Sequence, residues 1–398
     1  MKTLNIPRSV VSPLSRACAA GLLAGLLPLS AVAGPTIEFG EQGSLTFTYA
    51  LQGWLQHKGF TSSTDNGSST DAFLRRNRLT FSGQYNDYVG FYAQLEAGND
   101  SKLGNDDKSV YYRDAYVTLD YRDDLRFIVG RFKNTFSREN LEACLEPLTL
   151  DRAEALAYTP FGGSRDTGLA VWGNLMDAKL QYRFMIADGR ESNEVAEDNP
   201  RLTGRVHYSF WEPEFSYGYL GTYLGTKKVL TIGAGYDMQN GVAYGNYTAR
   251  SDIKDYKAWT VDAFMEYPTM SGVYTLSGAY FNYDTGDAAN GLDPDPALPV
   301  GADLKGYYVK AGYMLPYKVG SGRLQFFGRH EKSDYGIKTG AAEYYDQKWN
   351  SIGANYYIDG QKLKVTFEYA DIAFDTQHPT NPALQDYNQA TLGLQFIF

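Results

Sequence analysis

The sequence predicts an all-β fold, a 16-stranded antiparallel transmembrane β-barrel with an inward-folded third loop. Three observations carry that expectation. The chain ends QATLGLQFIF, in which Ala390, Leu392, Leu394, Phe396 and Phe398 share one strand face. Thr391, Gly393 and Gln395 share the other, with Ile397 as the exception, because side chains alternate along a strand. Segments of about ten alternating residues, the length that crosses a bilayer as a tilted strand, recur along the whole chain. The connections between them alternate between short and long, as in a bacterial barrel with tight periplasmic turns and larger outer loops.

The amino terminus predicts an export signal over residues 1–33, with one barrel domain over 34–398. Lys2, Arg8 and Arg16 form a basic leader, residues 17–29 are apolar apart from glycines and Pro28, and Ala31-Val32-Ala33 is a small-x-small cleavage site. Cys18 lies inside the apolar stretch and does not form a lipoprotein box. The apolar run is marginal for a spanning helix, and no later run is long and apolar enough to be one.

Composition narrows the function. Loss of Lys2, Arg8 and Arg16 takes the formal charge from −9 to −12, and an acidic total argues against nucleic-acid binding. After residue 33 the one cysteine is Cys144, so neither an internal disulfide nor a thiol metal site is expected, and no cofactor is called for. The 33 Tyr, 21 Phe and 5 Trp suit a barrel, which places apolar residues on its outer face and aromatic girdles at both interfaces.

The strands follow in order. The first, 44–56, sets Leu45, Phe47, Tyr49, Leu51 and Leu55 on one face. The second, 74–85, directs Leu79 and Phe81 outward and Arg76, Arg78, Thr80 and Ser82 inward. The third, 88–98, carries Gln94 and Glu96 inward, the fourth, 111–121, carries Asp114 and Thr118, and the fifth, 124–133, carries Arg126. Arg131 and Lys133 end that fifth strand, where a bulge decides their face. Further strands are expected at 166–175, 178–188, 202–211, 228–237, 257–267, 272–283, 305–315, 322–332, 347–358, 361–371 and 387–398. In 178–188, Leu180, Tyr182, Phe184 and Ile186 oppose Lys179, Gln181 and Arg183. The short connections run from Asn86-Asp87 to Asp359-Gly360, with 212–227 the one overlong turn. The long ones cover roughly 57–73, 99–110, 134–165, 189–201, 238–256, 284–304, 333–346 and 372–386. A barrel of this size encloses an aqueous channel.

The third connection, 134–165, is the longest and is not simply polar. Residues 137–145 read as a short helix with Ser137 as N-cap, ended by Pro147, and a second helical turn is expected over 151–158. Folded inward, such a loop narrows the channel. Its candidate constriction residues are Arg138, Glu139, Asp151, Arg152 and Arg165. The candidate wall is Arg76, Arg78, Arg126, Arg131, Lys133 and Arg183, with Arg205 and Arg329 inward by parity. Opposed acidic and basic sides set up a transverse field, and rings of cations bias a pore toward anions. The same arginines equally suit bracing pairs with Glu96, Asp114, Asp262, Glu266 and Glu368.

Residues 75–83 (RRNRLTFSG), Asp114-Ala115-Tyr116-Val117, 130–139 (GRFKNTFSRE), Asp151-Arg152 and Arg165-Asp166-Thr167-Gly168 together resemble the phosphate-selective porin O and P family. The resemblance is dense from about 70 to 190 and diffuse to Phe398. It implies a homotrimer of 16-stranded anion pores in the outer membrane, with Arg76, Arg78, Lys133 and Arg152 near the conducting path. This chain departs from the strongly phosphate-binding pattern. Its third loop carries Glu139, Glu142, Glu146, Asp151 and Glu154 against three arginines, and 284–304 holds Asp284, Asp287, Asp293, Asp295 and Asp303. The expected function is therefore passive diffusion of small hydrophilic, anionic solutes, with phosphate-like oxyanions among them.

Three rivals stand beside it. An enzyme needs a nucleophile and a base, but His57, His207, His330 and His378 accompany no GxSxG elbow. A barrel sheath for a partner, such as an electron-transfer conduit, would be filled by protein instead of water. A sugar-type porin would use inward aromatics, for which Trp54, Tyr92, Tyr116 and Phe264 are placed.

Overall fold

A computed structural model describes residues 34–59, 67–97, 110–153, 164–190, 196–246, 249–284, 286, 303–336, 346–375 and 385–398. The short strand β1 (Thr36–Phe39) pairs antiparallel with the start of β2. The barrel itself is β2 (Gly43–Lys58), β3 (Ser69–Gln84), β4 (Val89–Ala97), β5 (Val110–Arg122), β6 (Leu125–Lys133), β7 (Arg165–Leu175), β8 (Leu180–Ala187), β9 (Arg201–Ser209), β10 (Val229–Asn246), β11 (Ser251–Thr269), β12 (Gly272–Asp284), β13 (Asp303–Val319), β14 (Gly322–Gly336), β15 (Gln347–Asp359), β16 (Leu363–Phe374) and β17 (Tyr387–Ile397). A single helical turn, α1 (Arg138–Leu141), lies between β6 and β7.

Each strand pairs antiparallel with its sequence neighbours, and β17 closes on β2 from Gln389↔Lys58 to Ile397↔Ala50. Closure leaves no barrel edge unpaired, the condition for sheet inside a bilayer. The two faces are inverted relative to a water-soluble protein. Val117, Leu392, Leu394 and Phe396 are exposed on the outside, whereas Gln52, Arg76, Glu96, Arg205 and Glu368 are buried inside. The terminal strand keeps its expected phase. Its exception, Ile397, points inward and packs with Ala50 and Leu145.

Two boundaries are corrected. Residues 238–256 are not a loop, since β10 and β11 stay paired out to Asn246↔Ser251 with a register shift between Gln239 and Ala243. β13 runs through Pro316 to Val319. The shift between Met314 and Lys318 falls where proline has no N–H to give the ladder. Much of the other long connections, including Asp287, Asp293, Asp295 and Glu154, lies outside the described residues.

Candidate functional site

The inward positions of one half of the barrel are filled. Tyr256, Phe281, Tyr283, Tyr308, Trp349 and Phe374 from β11–β16 form one buried cluster with Phe136 and Ala153. Both of these belong to segment 134–153, which leaves β6 and bonds to strands around the barrel. Its backbone meets β10 at Gly235, where a Cβ would lie 2.0 Å from the Phe136 carbonyl oxygen, so only glycine fits. Ser137 caps α1 by accepting from the Asn140 N–H at 3.1 Å. The helix ends at Leu141, well before Pro147, and residues 151–153 are not helical.

Side chains then fix the segment. Arg138 donates twice to Glu214 at 2.7 and 2.8 Å and lies 3.8 Å from the Phe264 ring centre. Glu139 pairs with Lys310 of β13. The Leu148 carbonyl accepts from Asn355 of β15 at 2.8 Å. Asp151 takes Arg75 at 2.8 Å and Arg76 at 2.9 Å, both from β3. Arg329 of β14 donates to the Arg152 carbonyl at 3.1 Å and pairs with Glu368 at 3.3 Å. Each buried carboxylate in this set has a cation in hydrogen-bonding reach, the arrangement that lets charge be buried at all.

A second segment meets the first. Residues 210–228, the overlong turn, place Tyr219 in a parallel bridge with Glu142. Ala143 N–H donates to the Tyr219 carbonyl at 2.8 Å, and Gly221 N–H donates to the Glu146 backbone carbonyl at 3.0 Å. The Tyr219 hydroxyl is shared by Arg205 at 3.2 Å and His207 at 2.6 Å. Glu266 accepts from the Tyr223 and Gly225 N–H groups at 2.8 and 2.7 Å. Burial disfavours the charge of Glu214, but the Arg138 guanidinium holds it ionised, at about 2. The sequence signal for this segment was the apolar content of a turn: Tyr217, Tyr219, Leu220 and Tyr223.

Between segment 134–153 and β3–β7 a cavity remains. It gives about 90 Å³ to the centres of water molecules, room for roughly half a dozen waters. Its charged lining is Arg78, Lys133, Arg165 and Asp114. Arg78 pairs with Glu96 at 2.8 Å, and Arg165 grips Asp114 at 3.1 and 3.2 Å. Lys133 differs. Its ammonium donates to the carbonyls of Leu141 at 3.3 Å and Glu142 at 2.5 Å, and no carboxylate pairs with it among the described residues.

The expected wall residues are therefore divided. Arg76 and Arg78 both face inward, but Arg76 clamps the segment and Arg78 lines the cavity. Arg126 packs over Trp172 at 4.8 Å beside Asp123, away from the cavity. Arg183 donates to the Tyr217 carbonyl at 2.8 Å and holds the 210–228 segment. Arg131 is corrected: it pairs in register with Ala115, and no shift intervenes between it and Val129. It therefore stays in phase with the exposed, outward Val129 and is not pore lining. Arg165 opens β7 and belongs to the wall, not to the loop. Arg75 and Arg113 were missed. Arg75 stands where the β2–β3 register shifts and faces inward beside Arg76, and Arg113, at the β4–β5 shift, reaches Glu96. Of the histidines, His207 is inside, His330 bonds Asn350 at the exposed surface, and His378 lies outside the described residues. Among the described residues no group of acidic, histidine or cysteine side chains is arranged to hold a metal.

The anion-selective porin of Comamonas acidovorans shares this fold at TM-score 0.56 and 13% identity, over 90% of this chain and 100% of that one. Salmonella typhi OmpF in complex with daunomycin aligns at 0.58 and 16%, over 92% and 100%. The trimer form of Vibrio cholerae OmpT aligns at 0.53 and 11%, over 90% and 100%. No curated protein matches the sequence. The profile of the family described as phosphate-selective porin O and P matches residues 51–398, nearly the whole barrel. With the closed 16-stranded fold, that places the chain in the phosphate-selective porin O and P family, as an outer-membrane channel for small solutes.

Proposed function

We propose that the channel prefers small hydrophilic anions and that segment 134–153 is its inward-folded constriction. The observation that carries this reading is Lys133, a cation on the cavity wall whose bonds go to two carbonyls and to no carboxylate. In a narrow, low-dielectric passage an ammonium without a carboxylate partner biases the sign of the field. Phosphate selectivity is not part of the proposal, since Arg78 and Arg165 are already engaged by acids. Export through a cleaved signal at residues 1–33, contact with membrane lipid, assembly as a homotrimer and the absence of catalysis or nucleic-acid binding complete the reading. OmpT's trimer form supports the assembly.

Planar-bilayer current across a KCl gradient tests it. Unitary steps reversing toward the chloride potential support an anion channel. Reversal on the potassium side transfers selectivity to the acidic loops. Folded protein that gives no steps favours the partner-filled sheath, against which the filled interior argues.

The same measurement has an expected pH dependence. Burial lifts Glu146 to about 8, and burial together with Glu139 lifts Glu142. A carboxyl raised in this way is neutral below its pKa and anionic above it. Chloride preference is therefore highest near pH 6 and falls as pH rises through 7 and 8. Glu146→Gln flattens that decline, and an unchanged titration in this variant removes Glu146 from the account.

A further inference from the structure

The cavity has an aromatic side that an inorganic anion does not need. Tyr92 and Tyr116 stack with centres 5.1 Å apart and planes 12° from parallel. Tyr116 meets Phe132 edge-on at 6.1 Å, Phe132 meets Tyr217 at 6.3 Å, and Tyr217 meets Trp172 at 5.5 Å. These five rings come from four strands and the 210–228 segment, and they run without a break from the cavity along the inner wall. Leu141, Ala143, Cys144 and Leu145 of segment 134–153 complete the apolar lining. Phe132 and Trp172 are buried behind the row, whereas Tyr116 and Tyr217 are half-buried and keep apolar surface open to the cavity, which a solute with a flat apolar face gains by covering.

The polar groups select within that class. Two of the three lining cations are held by carboxylates in two-point pairs, which leaves Lys133 as the cation without a carboxylate partner among the described residues. One such ammonium suits a single carboxylate better than a phosphate dianion. Hydrogen-bonding capacity is also limited. Asp114 is occupied by Arg165, and Gln94 already donates to Thr80 and to the Tyr92 hydroxyl, both at 2.9 Å. A sugar acid needs partners for several hydroxyls, whereas an aromatic acid needs none beyond its carboxylate.

We propose that this cavity is a binding site for small aromatic carboxylates. The ring lies against Tyr116, which Phe132 supports edge-on from behind, and the carboxylate meets Lys133. The proposal rests on the channel reading above and names the solute class of that site. Stacking on one aromatic face and burial of a ring together correspond to a preference of about tenfold over an acid without a ring.

The test is block of the chloride current by benzoate, acetate, glucuronate and phosphate, each on wild type, with calorimetric titration of benzoate into folded protein in detergent. The expected result is benzoate block at about one-tenth of the acetate concentration. Tyr116→Ala and, separately, Phe132→Leu should erase that margin while acetate block stays. Heat-modifiable gel mobility confirms that each variant has folded. Equal block by benzoate and acetate, or tightest block by glucuronate or phosphate, overturns the proposal while leaving the channel intact. If no current is seen at all, the channel reading fails and calorimetry decides separately: heat from benzoate but not acetate sustains the site, and none from either removes it.

Discussion

Replacing Arg75 and Arg76 together with alanine should raise unitary conductance about twofold or more and broaden the current noise. Both guanidiniums terminate on Asp151, which is buried, and Asp151 is one of the tethers of segment 134–153 on the β3 side. Removing the cations leaves an uncompensated buried carboxylate, a loss on the order of 3–5 kcal/mol, and the segment escapes it by moving the acid into water. A triple variant that also carries Asp151→Ala separates this cause from simple widening. It removes the charge with its partners, so its conductance should return most of the way to wild type. Equal conductance in wild type and the double variant would show that Asp151 does not hold the segment.

The second large effect concerns selectivity. Lys133→Glu should move the reversal potential from the chloride side to the potassium side, and Lys133→Met should bring it near zero. At an effective dielectric of about 20, a unit charge 5 Å from a permeating ion contributes about 3 kcal/mol before salt screening. The expected change in permeability ratio is accordingly about tenfold at low salt and much smaller at 1 M. Both substitutions lose the two carbonyl bonds at the end of α1, but glutamate also sets an anion against those carbonyls, so the methionine variant is the cleaner measure of the lost charge. A reversal potential unmoved by either substitution would locate the selectivity elsewhere.

The barrel was legible because its signal is local. Leu392 and Thr391 declare their faces by alternation alone, and sixteen such segments need only add up to a closed sheet. The candidate site was less legible for two physical reasons. A bulge shifts the phase of a strand by one residue and leaves no mark in composition. Arg75 was therefore not read as inward, while Arg131, where a bulge was allowed for and none occurs, was placed in the wall. Contacts between distant segments have no period at all. Arg138 and Glu214 lie 76 positions apart, and nothing in either neighbourhood announces the other. The inward rings behaved differently: parity placed Tyr92 and Tyr116 correctly, but their continuity with Phe132 and Tyr217 depends on which strands and turns are adjacent.

The bridge between Glu142 and Tyr219 also constrains the order of assembly. The 210–228 segment finds most of its polar partners on β8, β9 and β11 and on segment 134–153, within the first ten barrel strands, and Arg323 of β14 adds a bond to the Leu224 carbonyl. Segment 134–153 is completed by Asn355 and Glu368, on strands near the carboxyl terminus. The interior of this porin is therefore half built before its last strands arrive, and sealing β17 onto β2 brings the two sets of ties to Asp151 and Leu150 together. A chain arrested before β15 should already protect the amides of residues 210–228 from exchange while leaving those of 148–153 open.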